Sequence, residues 1–183
     1  MVMPGPTPHP VIAIDSGAIS AINIPGHMAG LRIQNWTANR NTAAIPALGR
    51  LAGRFGYGHR FTRAELFQLG NAARLAGNVA SPCEDLMMAI YIWGSGSVNA
   101  HGHPPIVMNQ VRAGALCSLS SISSMNQVSR GIVGGNGVTG LNESFITKYL
   151  YFLHWQNPAF IGPKPLILDD RVRKTLSGRR ATL

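Results

Sequence analysis

The sequence predicts an all-α protein, built as one domain or as two closely packed helical lobes. Apolar residues recur at spacings of three and four along successive segments, the period of a buried helix face. No segment alternates apolar and polar residues over the length of a strand. Glycine and proline signals cut the chain into about six to eight helix-length pieces. The chain has 183 residues, 45% of them apolar and 13% charged. That is enough apolar material for a sizeable core.

Residues 1–10 hold four prolines and read as an extended or disordered N-terminal arm. The helical domain is expected over residues 11–176, followed by a basic tail over 177–183. Val11–Ile24 reads as a short helix or strand, and Pro25-Gly26 as a turn. Gly30–Trp36 suits a short helix and Thr37–Thr42 a polar connector. Over Ile45–Phe55 the apolar positions Ile45, Leu48, Leu51, Ala52 and Phe55 follow helical spacing. Arg50 and Arg54 share one face of that helix. A solvated face is expected there; a phosphate contact is the sharper alternative.

Gly56-Tyr57-Gly58-His59 breaks the helix. Thr62 and Glu65 then form a capping-box pattern, opening a helix that runs through Leu66, Phe67, Leu69, Ala73 and Leu75 to Gly77-Asn78. Ser81-Pro82 opens the next, with Pro82 at the first position and Glu84 and Asp85 in the first turn. That helix ends at Gly94-Ser95-Gly96. Ser97–Pro105 is a polar loop carrying His101 and His103. No third ligand is close in sequence, so no metal site is expected. Val107–Leu119 suits a further helix, Ser118–Ser129 a helix end or surface connection, and Arg130–Gly140 a glycine-rich turn.

The stretch Ser144–Trp155 is the most apolar of helix length. Phe145, Ile146, Tyr149, Leu150, Tyr151, Phe152 and Leu153 cover every face of the helix, as in a helix buried all round. Lys148 sits among them, although lysine is rarely buried without a partner. At helical spacing it shares a stripe with Ser144, Phe145, Tyr151 and Phe152. Asn142 suits the N-cap, Glu143 the positive end of the dipole, and Asn157-Pro158 the stop. Beyond a Pro/Gly connector, Leu166-Ile167-Leu168 leads into Asp169 and Asp170, either of which can cap a last helix over Arg171–Leu176. These are two of only seven acidic residues in the chain. A buried lysine and a returning aspartate make an amine–carboxylate pair the natural candidate. The alternative is a lysine whose head snorkels into water.

Sixteen basic residues against seven acidic give a net charge of +9. This favours a polyanionic partner, nucleic acid first and an anionic membrane surface second. Cys83 and Cys117 are too few for a four-cysteine site and are expected as buried, reduced thiols. The N-terminal residues lack a secretory pattern, and no apolar run approaches the ~20 residues of a membrane span. A cytoplasmic, nucleoid-associated monomer is the expectation.

The run Gly140-Leu141-Asn142-Glu143-Ser144-Phe145-Ile146-Thr147-Lys148-Tyr149-Leu150-Tyr151-Phe152, with Leu166-Ile167-Leu168-Asp169 after it, resembles the bacterial 8-oxoguanine DNA glycosylase-like (OGG-fold) proteins. These belong to the helix-hairpin-helix DNA glycosylase superfamily. Met88-Ala89-Ile90-Tyr91-Ile92-Trp93-Gly94-Ser95-Gly96 and Phe61-Thr62-Arg63-Ala64-Glu65-Leu66-Phe67 look like supporting blocks. The resemblance spans roughly residues 45–176. The hairpin departs from the superfamily's compact Pro-Gly-Val-Gly form: it reads Gly134-Gly135-Asn136-Gly137-Val138-Thr139-Gly140, and Lys148 follows eight residues after the last glycine.

The resemblance implies a DNA glycosylase and AP lyase that excises an oxidised purine from double-stranded DNA, with no cofactor. It assigns the nucleophile to Lys148 and the assisting carboxylate to Asp169. The amine must be neutral to attack, and at a free pKa near 10.4 only about one lysine in 2,500 is neutral at pH 7. Apolar surroundings penalise the ammonium and raise that fraction; a carboxylate opposes this but stabilises positive charge on the sugar. The glycine-rich turn is implied to grip a phosphate, with Gly137 and Gly140 the expected contributors. Trp93 and Phe152 are candidates for lining a base pocket, or else are core residues. A non-catalytic basic DNA-binding protein is the alternative to the enzyme.

Overall fold

The computed structural model describes residues 30–39, 42–95, 108, 114, 117–124 and 143–167. Among them the protein is all-α. Helices α1 (Ile33–Thr37), α2 (Pro46–Phe55), α3 (Arg63–Leu75), α4 (Ala80–Gly94) and α5 (Glu143–His154) are joined by one 3₁₀ turn, Cys117–Ser121. The described residues form no strand; one isolated parallel bridge joins Ser124 and Ile161. No described helix is long and apolar enough to cross a membrane. The N-terminal arm, His101, His103 and the C-terminal tail lie outside the described residues.

The axis of the fold is α4. Every residue from Leu86 to Trp93 is buried, because the run LMMAIYIW offers no polar face to water. Helices α2, α3 and α5 pack around it, and α1 packs on α2. Helix α3 also lies against α5 and the 3₁₀ turn. One continuous apolar cluster links α1 through α5.

The expected capping box is present at the start of α3. Glu65 N donates to Thr62 Oγ1 at 3.2 Å, and Thr62 N donates to Glu65 Oε2 at 2.8 Å. Two otherwise orphaned backbone donors are thereby satisfied. Further along, Gly70 sets the approach of α3 to α5. A Cβ built there would lie 2.1 Å from the Phe152 carbonyl oxygen, so only glycine admits this helix–helix distance.

Two sequence expectations need correction. Helix α4 begins at Ala80, so Pro82 is its third residue rather than its first, and Glu84 and Asp85 lie beyond its first turn. The first four N–H groups of a helix have no intrahelical acceptor, so proline is tolerated throughout the first turn. The second correction concerns Arg50, which neither faces water alone nor waits for a phosphate. Its Nη2 donates to Glu84 Oε2 at 2.6 Å and its Nε to Asp85 Oδ1 at 2.8 Å. Glu84 is only 4% exposed, and a carboxylate that deep requires a cation.

The end of α5 is held by His154, which is fully buried. Its Nε2–H donates to the Leu119 carbonyl at 2.8 Å, and Nδ1 accepts from Asn157 Nδ2 at 3.4 Å. A carbonyl only accepts, so the ring is the neutral Nε2–H tautomer. The 3₁₀ turn is tied in turn to the α3–α4 connection, where Ser120 Oγ donates to the Gly77 carbonyl at 3.2 Å. Cys83 and Cys117 are both buried, and neither is in a disulfide.

Candidate functional site

Lys148 lies on α5 where that helix crosses the last turn of α4. The residue is 7% exposed, too enclosed for a head group standing in water. Its Nζ donates to Ser144 Oγ at 2.7 Å, one turn earlier on the same helix. It also stands 5.0 Å from the centre of the Phe145 ring, a distance at which the ring face attracts an ammonium. Phe145 is fixed by stacking on Tyr91 at 4.4 Å between ring centres.

The lysine stem lies against Gly94, the last residue of α4. A Cβ there would lie 3.4 Å from Lys148 Cδ and 3.4 Å from Phe145 Cε1. Any larger side chain would meet the stem and the ring together. The carbonyl end of α4 also favours a cation. The stripe read from sequence thus contains two actual contacts of the amine, Ser144 and Phe145.

Trp93 and Phe152 are brought together beside this lysine. Their rings meet edge to face with centres 5.5 Å apart. Phe152 is 1% exposed and also packs on Phe67 at 5.1 Å. The Arg63 guanidinium lies over the Trp93 ring, 5.8 Å from its centre. Tyr91 and Tyr149 are buried phenols, and burial pushes both above the ordinary tyrosine value. Tyr149 lies beside the Cys83 and Cys117 thiols. The Cys83 thiol is lowered by its hydrogen bond to Cys117, against the effect of burial.

Asp169, Asp170, Gly137 and Gly140 lie outside the described residues, as does the cap residue Asn142. No group of three or more potential metal ligands gathers among the described residues. Three contributors were missed from sequence. Ser144 stood on the lysine stripe, but its hydroxyl was not assigned as a partner, although the i, i+4 spacing announces it. Gly94 stands in the sequence as a helix stop and part of a supporting block, with no sign that it meets the lysine. Arg63 falls within the capping segment and a supporting block but was given no role of its own, although a cation at the positive end of a helix is an anomaly visible in the sequence.

Fold and site together define an all-α protein with a lysine amine held inside its apolar helical body. Residues 23–182 match the family model described as "OGG: Putative 8-oxoguanine DNA glycosylase OGG-like protein". The chain belongs to this OGG-like family. No curated protein and no solved structure matches the chain. The family description points to a DNA-directed glycosylase class and to DNA repair.

Proposed function

We propose that the protein is a DNA N-glycosylase and AP lyase that excises an oxidised purine, of the 8-oxoguanine kind, from double-stranded DNA. The observation that carries this reading is the placement of Lys148: a nearly buried amine, held by Ser144 and lodged against Gly94, in a chain of the OGG-like family. In this mechanism the neutral amine attacks the anomeric carbon of an extruded nucleotide, and the base leaves with its bonding electrons. The attacking nitrogen gives up a proton, the sugar ring opens, and a Schiff base links Lys148 to the DNA. Strand cleavage follows by β-elimination.

Asp169 is assigned the carboxylate role: it accepts the amine proton and balances oxocarbenium charge. Gly137 and Gly140 are assigned to a backbone phosphate grip, and Trp93 and Phe152 to the wall of the base site. The unit is taken to be the helical domain over residues 11–176, acting as a nucleoid-associated monomer.

The Phe145 ring under Nζ favours the ammonium and so supports a second reading, a DNA-binding protein in which Lys148 is structural. Borohydride trapping on a panel of lesion-bearing duplexes separates the two. The enzyme forms a covalent protein–DNA adduct that disappears in Lys148→Gln, while DNA binding persists. Full excision by Lys148→Gln, or no adduct and no excision from any lesion by wild type, sinks the amine-nucleophile mechanism.

A further inference from the structure

Arg63 is an electrostatic anomaly in this fold. It is the first residue of α3, where the helix dipole disfavours a cation. It is half-buried, and its Nε is shut off from solvent with no hydrogen-bond partner among the described residues. The described ion pairs are those of Arg50 with Glu84 and Asp85, and of His59 with Glu65. The nearest acid along the helix, Glu65, directs its Oε2 to His59, Thr62 Oγ1 and the Thr62 N–H. Arg63 is therefore a half-buried guanidinium, with Nε enclosed, that has no described anion beside it.

Its seat is aromatic. The guanidinium lies over Trp93, and its charge acts on the Tyr151 phenol, which burial otherwise pushes upward. Trp93 adjoins Gly94, against which the Lys148 stem lies. Tyr151 is three residues beyond Lys148 on α5, so it projects from the neighbouring turn of the same helix face. The same end of the molecule carries further exposed arginines. Leu31 N donates to the Ile92 carbonyl at 3.1 Å, and Ile33 N donates to the His59 carbonyl at 3.1 Å. These bonds tie the segment bearing Arg32, and the turn bearing Arg60, to the carbonyl end of α4. Tyr57, 60% exposed, stands at the tip of that turn.

We propose that Arg63 is the phosphate anchor of the DNA interface: its guanidinium receives the phosphodiester flanking the nucleotide presented to Lys148, with Arg32 and Arg60 on the rim. This deepens the glycosylase proposal and rests on it. A planar guanidinium suits a phosphate's paired oxygens, and with Nε buried it is the Nη end that would meet them. The aromatic seat fixes its plane before the DNA arrives, which lowers the cost of ordering it on binding.

Two measurements test the anchor. The first is affinity for a lesion-free duplex across a salt series, for wild type, Arg63→Gln and Arg63→Lys. A lost phosphate contact lowers the slope of log affinity against log salt by about one; Arg63→Lys retains the slope. The second places a neutral methylphosphonate at each position flanking a lesion in turn. One position weakens wild type and leaves Arg63→Gln unaffected. Equal salt slopes for wild type and Arg63→Gln, or a wild type indifferent to every methylphosphonate, overturn the anchor. If Arg63→Gln fails to fold, Arg63→Met, which keeps an apolar stem over Trp93 without the charge, takes its place in both measurements. Wild type that binds with the predicted slope difference yet excises nothing sinks the glycosylase proposal and leaves the phosphate contact standing. Normal excision with indistinguishable Arg63→Gln binding overturns the anchor alone.

Discussion

The Lys148 amine donates to the Ser144 hydroxyl one helical turn away, at 2.7 Å. This bond fixes the direction of a side chain that otherwise has four rotatable bonds. Ser144→Ala is expected to leave the fold nearly intact and Schiff-base trapping detectable. Single-turnover excision should fall roughly ten- to hundredfold, since a misplaced reacting group costs on that order. Unchanged excision in Ser144→Ala would show that the amine is positioned by other contacts.

Asp169 and Asp170 are distinguished by charge removal at constant shape. Asp169→Asn is expected to slow excision by a few hundredfold or more, about 3–4 kcal/mol of lost transition-state stabilisation, while Asp170→Asn changes it little. The reverse order in a single-turnover assay assigns the role to Asp170 instead.

Gly70 and Gly49 make a matched pair for stability. Alanine gains about 1 kcal/mol of helix propensity over glycine at either site. At Gly49 nothing lies within 4 Å of the added carbon, so Gly49→Ala should stabilise by about 0.5–1 kcal/mol. At Gly70 the new Cβ would sit 2.1 Å from a backbone oxygen. Forcing α3 off α5 costs about 1–3 kcal/mol or more, which outweighs the propensity gain. Denaturant midpoints moving in the same direction for both variants would contradict the close approach.

Arg50→Ala removes the guanidinium that pairs with Glu84 and Asp85. Breaking a fully buried pair costs about 3–5 kcal/mol. The Arg50 side chain is 36% exposed, so a loss of about 2 kcal/mol is the scaled expectation. Adding Glu84→Gln should recover part of it, because the buried side chain then carries no charge. Additive losses in the double-mutant cycle would show that the two residues are not coupled.

His154 predicts an acid limb in the stability profile. Burial, the largest cause, holds its pKa below the ordinary 6.5, partly opposed by the bond to Leu119. The unfolded chain therefore binds the proton before the folded protein does. The contribution is complete above about pH 6.5 and is lost as pH falls from there through the lowered folded value. His154→Gln keeps a donor for the Leu119 carbonyl but does not titrate. Its melting temperature should be lower at neutral pH and flatter between about pH 6.5 and 5. Identical acid limbs for both proteins would remove His154 as the cause.

Local relationships in this protein were determined by the sequence alone, because helix geometry fixes which residues three and four apart become neighbours. The all-α class follows from apolar spacing, the Thr62–Glu65 box from its pattern, and the stripe joining Ser144, Phe145 and Lys148 from its register. What required the tertiary structure lies between helices. Arg50 finds Glu84 across 34 residues, Gly70 meets the Phe152 carbonyl, Gly94 lies against the Lys148 stem, and His154 reaches Leu119. Each depends on the crossing angle and axial offset of two packed helices, which follow from the shapes of all the side chains in the contact. The same holds for Arg63: the sequence places a cation at the wrong end of a helix, and only the packing of α3 against α4 seats it over Trp93 near the lysine.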